Sequence, residues 1–108
     1  MNLTEIKKRL EGFEKDIEEI ISLFEQKHKH RDEIMRRYKI IKNLLKTERD
    51  KFQTLKGEEK ATEEERQFYN PAVNEAWLEL HTKVGSSPSQ EMIDCLSSAK
   101  SEIRHYLG

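Results

Sequence analysis

The chain has 108 residues, of which 34% are hydrophobic and 38% are charged, and its net charge is −1. The length is that of one domain, and the small net charge gives no global attraction to nucleic acid or to membranes. The single cysteine, Cys95, excludes an intrachain disulfide and fits a reducing compartment. Because no apolar leader and no apolar run of about 18 residues is present, we expect a cytoplasmic protein without a membrane span.

Few glycines and prolines, with many Glu, Lys and Arg residues, predict an all-α protein of the coiled-coil or helical-bundle type. Apolar residues recur alternately every three and four positions from residue 3, which is a heptad pattern. Gly12 falls on an outward-facing position. The apolar seam of this first segment consists of Leu3, Ile6, Leu10, Phe13, Ile17, Ile20 and Phe24.

The stretch from Lys27 to Glu33 interrupts this seam with seven consecutive charged or imidazole side chains. The same count nevertheless continues in phase beyond it, through Ile34, Tyr38, Ile41, Leu45, the polar Glu48, Phe52 and Leu55. Residues 25 to 42 contain no Gly, Pro, Asn, Ser or Thr, which are the usual turn formers. We therefore predict one long helix over residues 3–55. The competing interpretation is a helical hairpin with arms at 3–26 and 32–55.

The second half of the chain contains clearer stop and start signals. Thr62 and Glu65 have capping-box spacing, which predicts a short linker helix over residues 62–69. Asn70 as N-cap and Pro71 at the first helical position predict a new or kinked helix over 71–84. In "VGSSPSQE", Ser87 is the predicted N-cap of a last helix over 88–107. These two helices should form an αα-hairpin, so that residues 1–108 make a single all-helical domain.

Positive and negative charges are concentrated in different segments of the chain, and this distribution indicates what the chain could bind. Residues 1–26 have a net charge of −3, whereas residues 27–57 have +7 and residues 58–80 have −5. Contact between the basic middle and its acidic flanks is favoured, within the chain or across a dimer. Segment 27–56 could also neutralise nucleic-acid phosphates, but its bases spread around the helix and form no single stripe.

The sequence indicates no metal site, cofactor site or catalytic site. Glu25, His28 and Asp32 share a helical face, but His28 and His30 are two residues apart and point away from each other on a helix. No phosphate loop or nucleophile motif is present. Cys95 lies on an apolar stripe, where a small packed residue is the simpler interpretation.

We therefore expect a small non-enzymatic interaction or scaffolding protein. A 53-residue helix cannot bury its whole seam against two shorter helices, so the seam should pair with a second copy in a homodimer. Another helical protein is a further possible partner, and a nucleic-acid-binding accessory protein is the alternative function. The predicted dimer interface consists of Leu10, Phe13, Ile17, Ile20, Phe24, Ile34, Tyr38, Ile41 and Leu45.

Overall fold

The computed structural model describes residues 1–54, 61–81 and 84–108, and over these residues the predicted all-α class is confirmed. Four α-helices are present in this part of the chain: α1 (Leu3–Phe24), α2 (Arg31–Thr54), α3 (Asn70–Leu80) and α4 (Gln90–Leu107), with a π-helical segment (Glu65–Tyr69) leading into α3. Helix α1 packs against α2 and α4, and α3 packs against the same two helices, which gives a four-helix bundle. None of the described helices combines the length and the apolar character needed to cross a membrane.

The prediction of one long helix over residues 3–55 is wrong, because α1 ends at Phe24 and α2 starts at Arg31. The two helices form the hairpin that the sequence offered as the alternative. The physical reason is burial: when the chain folds back, the seams of both arms enter one core, whereas a straight helix leaves half of them in water. The predicted end at residue 55 lies outside the described residues.

The connection between α1 and α2 needs no glycine because it remains close to helical geometry. Glu25 adopts φ −58° and ψ −27°, and its amide donates to the Ser22 and Leu23 carbonyls. Further short-range hydrogen bonds follow, from Lys27 to the Phe24 carbonyl at 3.2 Å and from Lys29 to the Gln26 carbonyl at 3.0 Å. Such turns are open to any L-residue. The chain therefore reverses within a stretch that contains no Gly, Pro, Asn, Ser or Thr.

Pro71 lies inside a continuous helical path instead of starting a new helix. The capping box is confirmed, since the Thr62 hydroxyl accepts from the Glu65 amide and the Glu65 carboxylate accepts from the Thr62 amide, each at 3.1 Å. Asn70 has helical backbone angles, and its amide bonds to the Glu65 carbonyl, five residues back. The prediction of Asn70 as an N-cap is therefore wrong. Because proline lacks an N–H and crowds the preceding turn, the wider π-register is a reasonable way to accommodate it.

The two C-terminal helices are shorter than predicted. Helix α3 ends at Leu80 and not at residue 84. Helix α4 begins at Gln90, and its N-cap is Ser89, whose hydroxyl accepts from the Met92 amide at 3.3 Å. The predicted cap, Ser87, instead accepts hydrogen bonds from the Arg31 guanidinium at 3.3 Å. That contact joins the loop before α4 to the start of α2.

Candidate interaction face

The structure buries the predicted dimer seam inside one chain. Eight of the nine predicted interface residues belong to the buried core, and the ninth, Phe24, is half-buried against it. Those eight are Leu10, Phe13, Ile17, Ile20, Ile34, Tyr38, Ile41 and Leu45. They meet side chains of α3 and α4 such as Ala76, Leu96 and Ile103 in a single cluster. The seam is therefore occupied within the monomer, and any partner has to use another surface.

Large apolar side chains remain exposed at a few places on the described surface. These are Leu3 (39% exposed), Ile40 (47%), Leu44 (43%) and Leu78 (42%). Isolated exposed leucines are ordinary and need no explanation. Ile40 and Leu44 differ from the other two because they are one turn apart on α2, so their side chains are neighbours. They form the apolar part of the candidate docking surface.

Two ion pairs fix how α1 and α2 lie side by side. Arg37 donates to Glu19 at 2.9 Å, and Arg9 meets Glu48 at 2.6 Å. Because the helices are antiparallel, each step forward along α1 from Arg9 towards Glu19 is matched by a step backward along α2 from Glu48 towards Arg37. Gly12 is therefore level with Leu44, and Asp16 is level with Ile40.

Gly12 and Asp16 on α1, and Ile40 and Leu44 on α2, lie on the sides of these helices that border the contact between α1 and α2. Arg9 contacts α2 through Glu48. Gly12 and Asp16 lie three and seven residues after Arg9, so they lie on the same side of α1 as Arg9. Ile40 and Leu44 lie three and seven residues after Arg37 and therefore also border the junction. We call the surface formed by Gly12, Asp16, Ile40 and Leu44, together with Arg36 beside them, the α1/α2 face.

Gly12 leaves a notch in the α1/α2 face. A Cβ atom built on Gly12 meets no other atom within 4 Å outside its own helix backbone and chain neighbours. Leu44 lies level with Gly12 on the adjacent helix. The face therefore has a protruding apolar side chain at Leu44 next to a position, Gly12, that has no side chain. Such a pair of features allows close approach of another helix.

A groove of about 210 Å³ continues the face towards the turn, and it has charges of both signs. It is lined by Asp16, Ile20, Arg36, Arg37, Ile40 and Ile41. Partial desolvation raises the pKa of the Asp16 carboxyl, and the nearby Glu19 carboxylate raises it further, against the opposing charges of Arg37 and Lys15. No ion pair joins Asp16 or Arg36 to another described residue. Both charges are therefore available to a partner.

A buried polar cluster closes the end of the bundle beyond this face. Glu48 is 6% exposed and accepts from the Tyr69 hydroxyl at 2.8 Å, and it also meets Arg9 and Lys51. Burial acts to raise the pKa of the Glu48 carboxyl, but the hydrogen bonds from Lys51 and Tyr69 and the charge of Arg9 outweigh it and lower the pKa. The polar residue on the predicted seam is thus a satisfied internal anchor.

The described bases of the basic segment 27–56, from Lys27 to Lys51, are divided between internal contacts and solvent. Arg31, Arg37 and Arg49 bind other parts of the bundle; the Arg49 guanidinium lies 4.3 Å from the Trp77 ring centroid. Arg36, Lys39 and Lys46 are exposed, and no ion pair engages them among the described residues. Tyr38 is buried and its hydroxyl donates to the Leu80 carbonyl at 3.4 Å. It is therefore not accessible for stacking on a nucleic-acid base.

The residues considered for metal binding or catalysis do not assemble into a site. Glu25 and His28 lie exposed in the turn, whereas Asp32 lies in the first turn of α2. Within the described part of the chain, no group of three His, Cys, Asp or Glu residues could hold a metal ion. Burial raises the pKa of the half-buried Cys95 thiol, and the nearby Glu91 raises it further, which disfavours the reactive thiolate.

Comparisons with protein-family models, with curated proteins and with solved structures find no match to this chain. The functional argument therefore rests on the α1/α2 face itself.

Proposed function

We propose that this chain is a small non-enzymatic interaction protein that self-associates as a homodimer. The observation that carries the proposal is the α1/α2 face, where Ile40 and Leu44 are exposed although the other large apolar residues of α2 up to Leu45 are buried or half-buried. An apolar centre surrounded by charged side chains is the usual arrangement of a protein–protein interface. A role as a scaffold that docks another helical protein through the same kind of contact is compatible with this proposal.

Sedimentation equilibrium tests this proposal directly. At about 100 µM, well above the Kd of a micromolar dimer, the wild-type chain should have twice its mass of 12.9 kDa. A single species of one chain mass at this concentration would contradict self-association.

The alternative function is nucleic-acid binding through Arg36, Lys39 and Lys46, which are exposed bases of α2. Binding of this kind would weaken steeply as salt is raised, because it releases counterions from phosphates. Retention of the chain on duplex or single-stranded DNA at about 150 mM salt, lost when these three residues are changed to Gln, would favour the alternative. We favour the interaction role because the same helix presents an apolar pair, and because Tyr38, the aromatic residue among these bases, is buried.

A further inference from the structure

We infer that the α1/α2 face is the dimer interface, and that its occupant is the same face of a second copy. This inference rests on the proposed self-association and adds the surface and the geometry. It is distinct from the seam prediction, since the seam residues are buried in the monomer.

The first support is the match between a protrusion and a notch on one face. Consider two copies whose α1/α2 faces meet, related by a twofold axis that runs parallel to the helices. The rotation places α1 of each copy opposite α2 of the other, and it leaves each residue at the same height along the helices. Because Gly12 is level with Leu44 in the register set by the Glu19–Arg37 and Arg9–Glu48 pairs, Leu44 of one copy then lies over Gly12 of the other. Nothing within 4 Å fills that position in the monomer. A twofold interface repeats this contact, so that both notches are filled.

The second support is the complementary charge of the two helices. Asp16 of α1 and Arg36 of α2 line the same groove, and neither has an ion pair within the described chain. They are offset by about one turn along the helices, which the long arginine side chain can span. In the twofold arrangement, Asp16 of each copy faces the helix that carries Arg36 of the other, so two opposite-charge contacts form.

The third support is size. Helix α1, Leu3–Phe24, is about 33 Å long at about 1.5 Å per residue, and two adjacent helices are about 20 Å wide. A contact along the full length of the two helices that carry the face would therefore cover about 650 Å² per copy, which lies at the lower end of the about 600–1,000 Å² that a standard interface buries on each partner. The expected dimer is specific but of moderate affinity, with a Kd in the micromolar range.

The test compares dimer Kd values, by sedimentation equilibrium, for substitutions inside and outside the face. Gly12→Gln fills the notch and should raise the Kd at least about tenfold, because overpacked interfaces lose their fit. Leu44→Gln should also raise it by about tenfold or more. The matched controls are Leu78→Gln, at a leucine of nearly equal exposure on α3, and Ser97→Gln, on the exposed side of α4. Both controls should leave the Kd unchanged.

Gly12→Gln separates the interface from simple misfolding, because its two effects have opposite signs. The substituted position is open in the monomer, and Gln favours helix more than Gly does. The thermal midpoint of the monomer, measured at a concentration below the dimer Kd, should therefore rise by a few degrees while dimerisation weakens. If the wild type dimerises but Gly12→Gln and Leu44→Gln leave its Kd unchanged, the face is wrong and self-association stands. If the wild type is monomeric, both proposals fail.

Discussion

At the residue scale, Glu48 shows how a polar side chain can occupy a core position. It follows Leu45 by three residues on the heptad seam, and it is buried although it is a carboxylate. Tyr69, Arg9 and Lys51 all contact its side-chain oxygens. These polar partners satisfy the buried carboxylate, which would otherwise destabilise the fold.

This arrangement predicts a pH-dependent stability. The pKa of the Glu48 carboxyl is lowered in the folded chain, so the carboxylate stabilises the fold above its unfolded pKa, and this contribution is lost as the pH falls through the folded value. At pH 7, Glu48→Gln should lower the free energy of unfolding by roughly 1–3 kcal/mol. The difference from wild type should shrink below about pH 4, as measured by urea denaturation across pH.

The matched control for this prediction is Glu11→Gln, since Glu11 is exposed on α1. Its effect on the free energy of unfolding should stay within about 0.5 kcal/mol at every pH. A loss of stability in Glu48→Gln that is the same at pH 7 and at low pH would contradict the assigned role of the buried carboxylate.

At the element scale, the sequence predicted which residues face the core better than it predicted where the helices end. The seam positions from Ile6 to Leu45 are buried except around the turn, as a heptad pattern requires. The break at residues 25–30 was missed because its backbone stays near helical angles and needs no turn-forming residue. Between Phe24 and Ile34 the count by three and four residues falls on Lys27 and Arg31, and these two polar seam positions were the available signal. Both side chains are exposed, because the turn between α1 and α2 lies outside the core.

The same limit explains the errors in the second half. Ser87 and Ser89 are both good N-caps, and a local pattern does not decide between them. The choice depends on tertiary contacts, since Arg31 of α2 engages Ser87. Pro71 likewise predicted a helix start, yet the π-register lets the helix pass through it. Local preferences here are overruled by packing that the sequence does not display.

An insertion in the turn tests the hairpin at this scale. Adding Gly-Gly after His28 lengthens a surface connection and should cost only a few tenths of a kcal/mol in unfolding free energy. The control is Gly-Gly inserted after Ile17, within α1, which moves Ile20 out of phase with the four buried residues before it and adds two poor helix formers. That control should lose at least about 2 kcal/mol. Equal, large losses of thermal stability in both proteins would argue against a turn at residues 25–30.

At the scale of the whole molecule, the hairpin changes where a partner can bind. Because the seam is closed within the chain, all the predicted interface residues except Phe24 became core, and the surface that we propose for contact is the α1/α2 face. The sequence did contain its parts, since Ile40 and Leu44 are apolar residues off the seam and Gly12 is an outward glycine. Their proximity could not be predicted without the antiparallel register, which depends on the fold.

The burial of the seam within one chain is the claim on which the fold and the docking face both depend. A spin-label distance between positions 11 and 46, exposed on α1 and α2, tests it most directly. The doubly labelled chain is diluted with unlabelled chain, so that distances within one copy dominate. The hairpin predicts about 15–25 Å, allowing for helices about 8–10 Å apart and for the labels. A distance of about 50 Å, that of about 35 residues along one straight helix, would contradict the account.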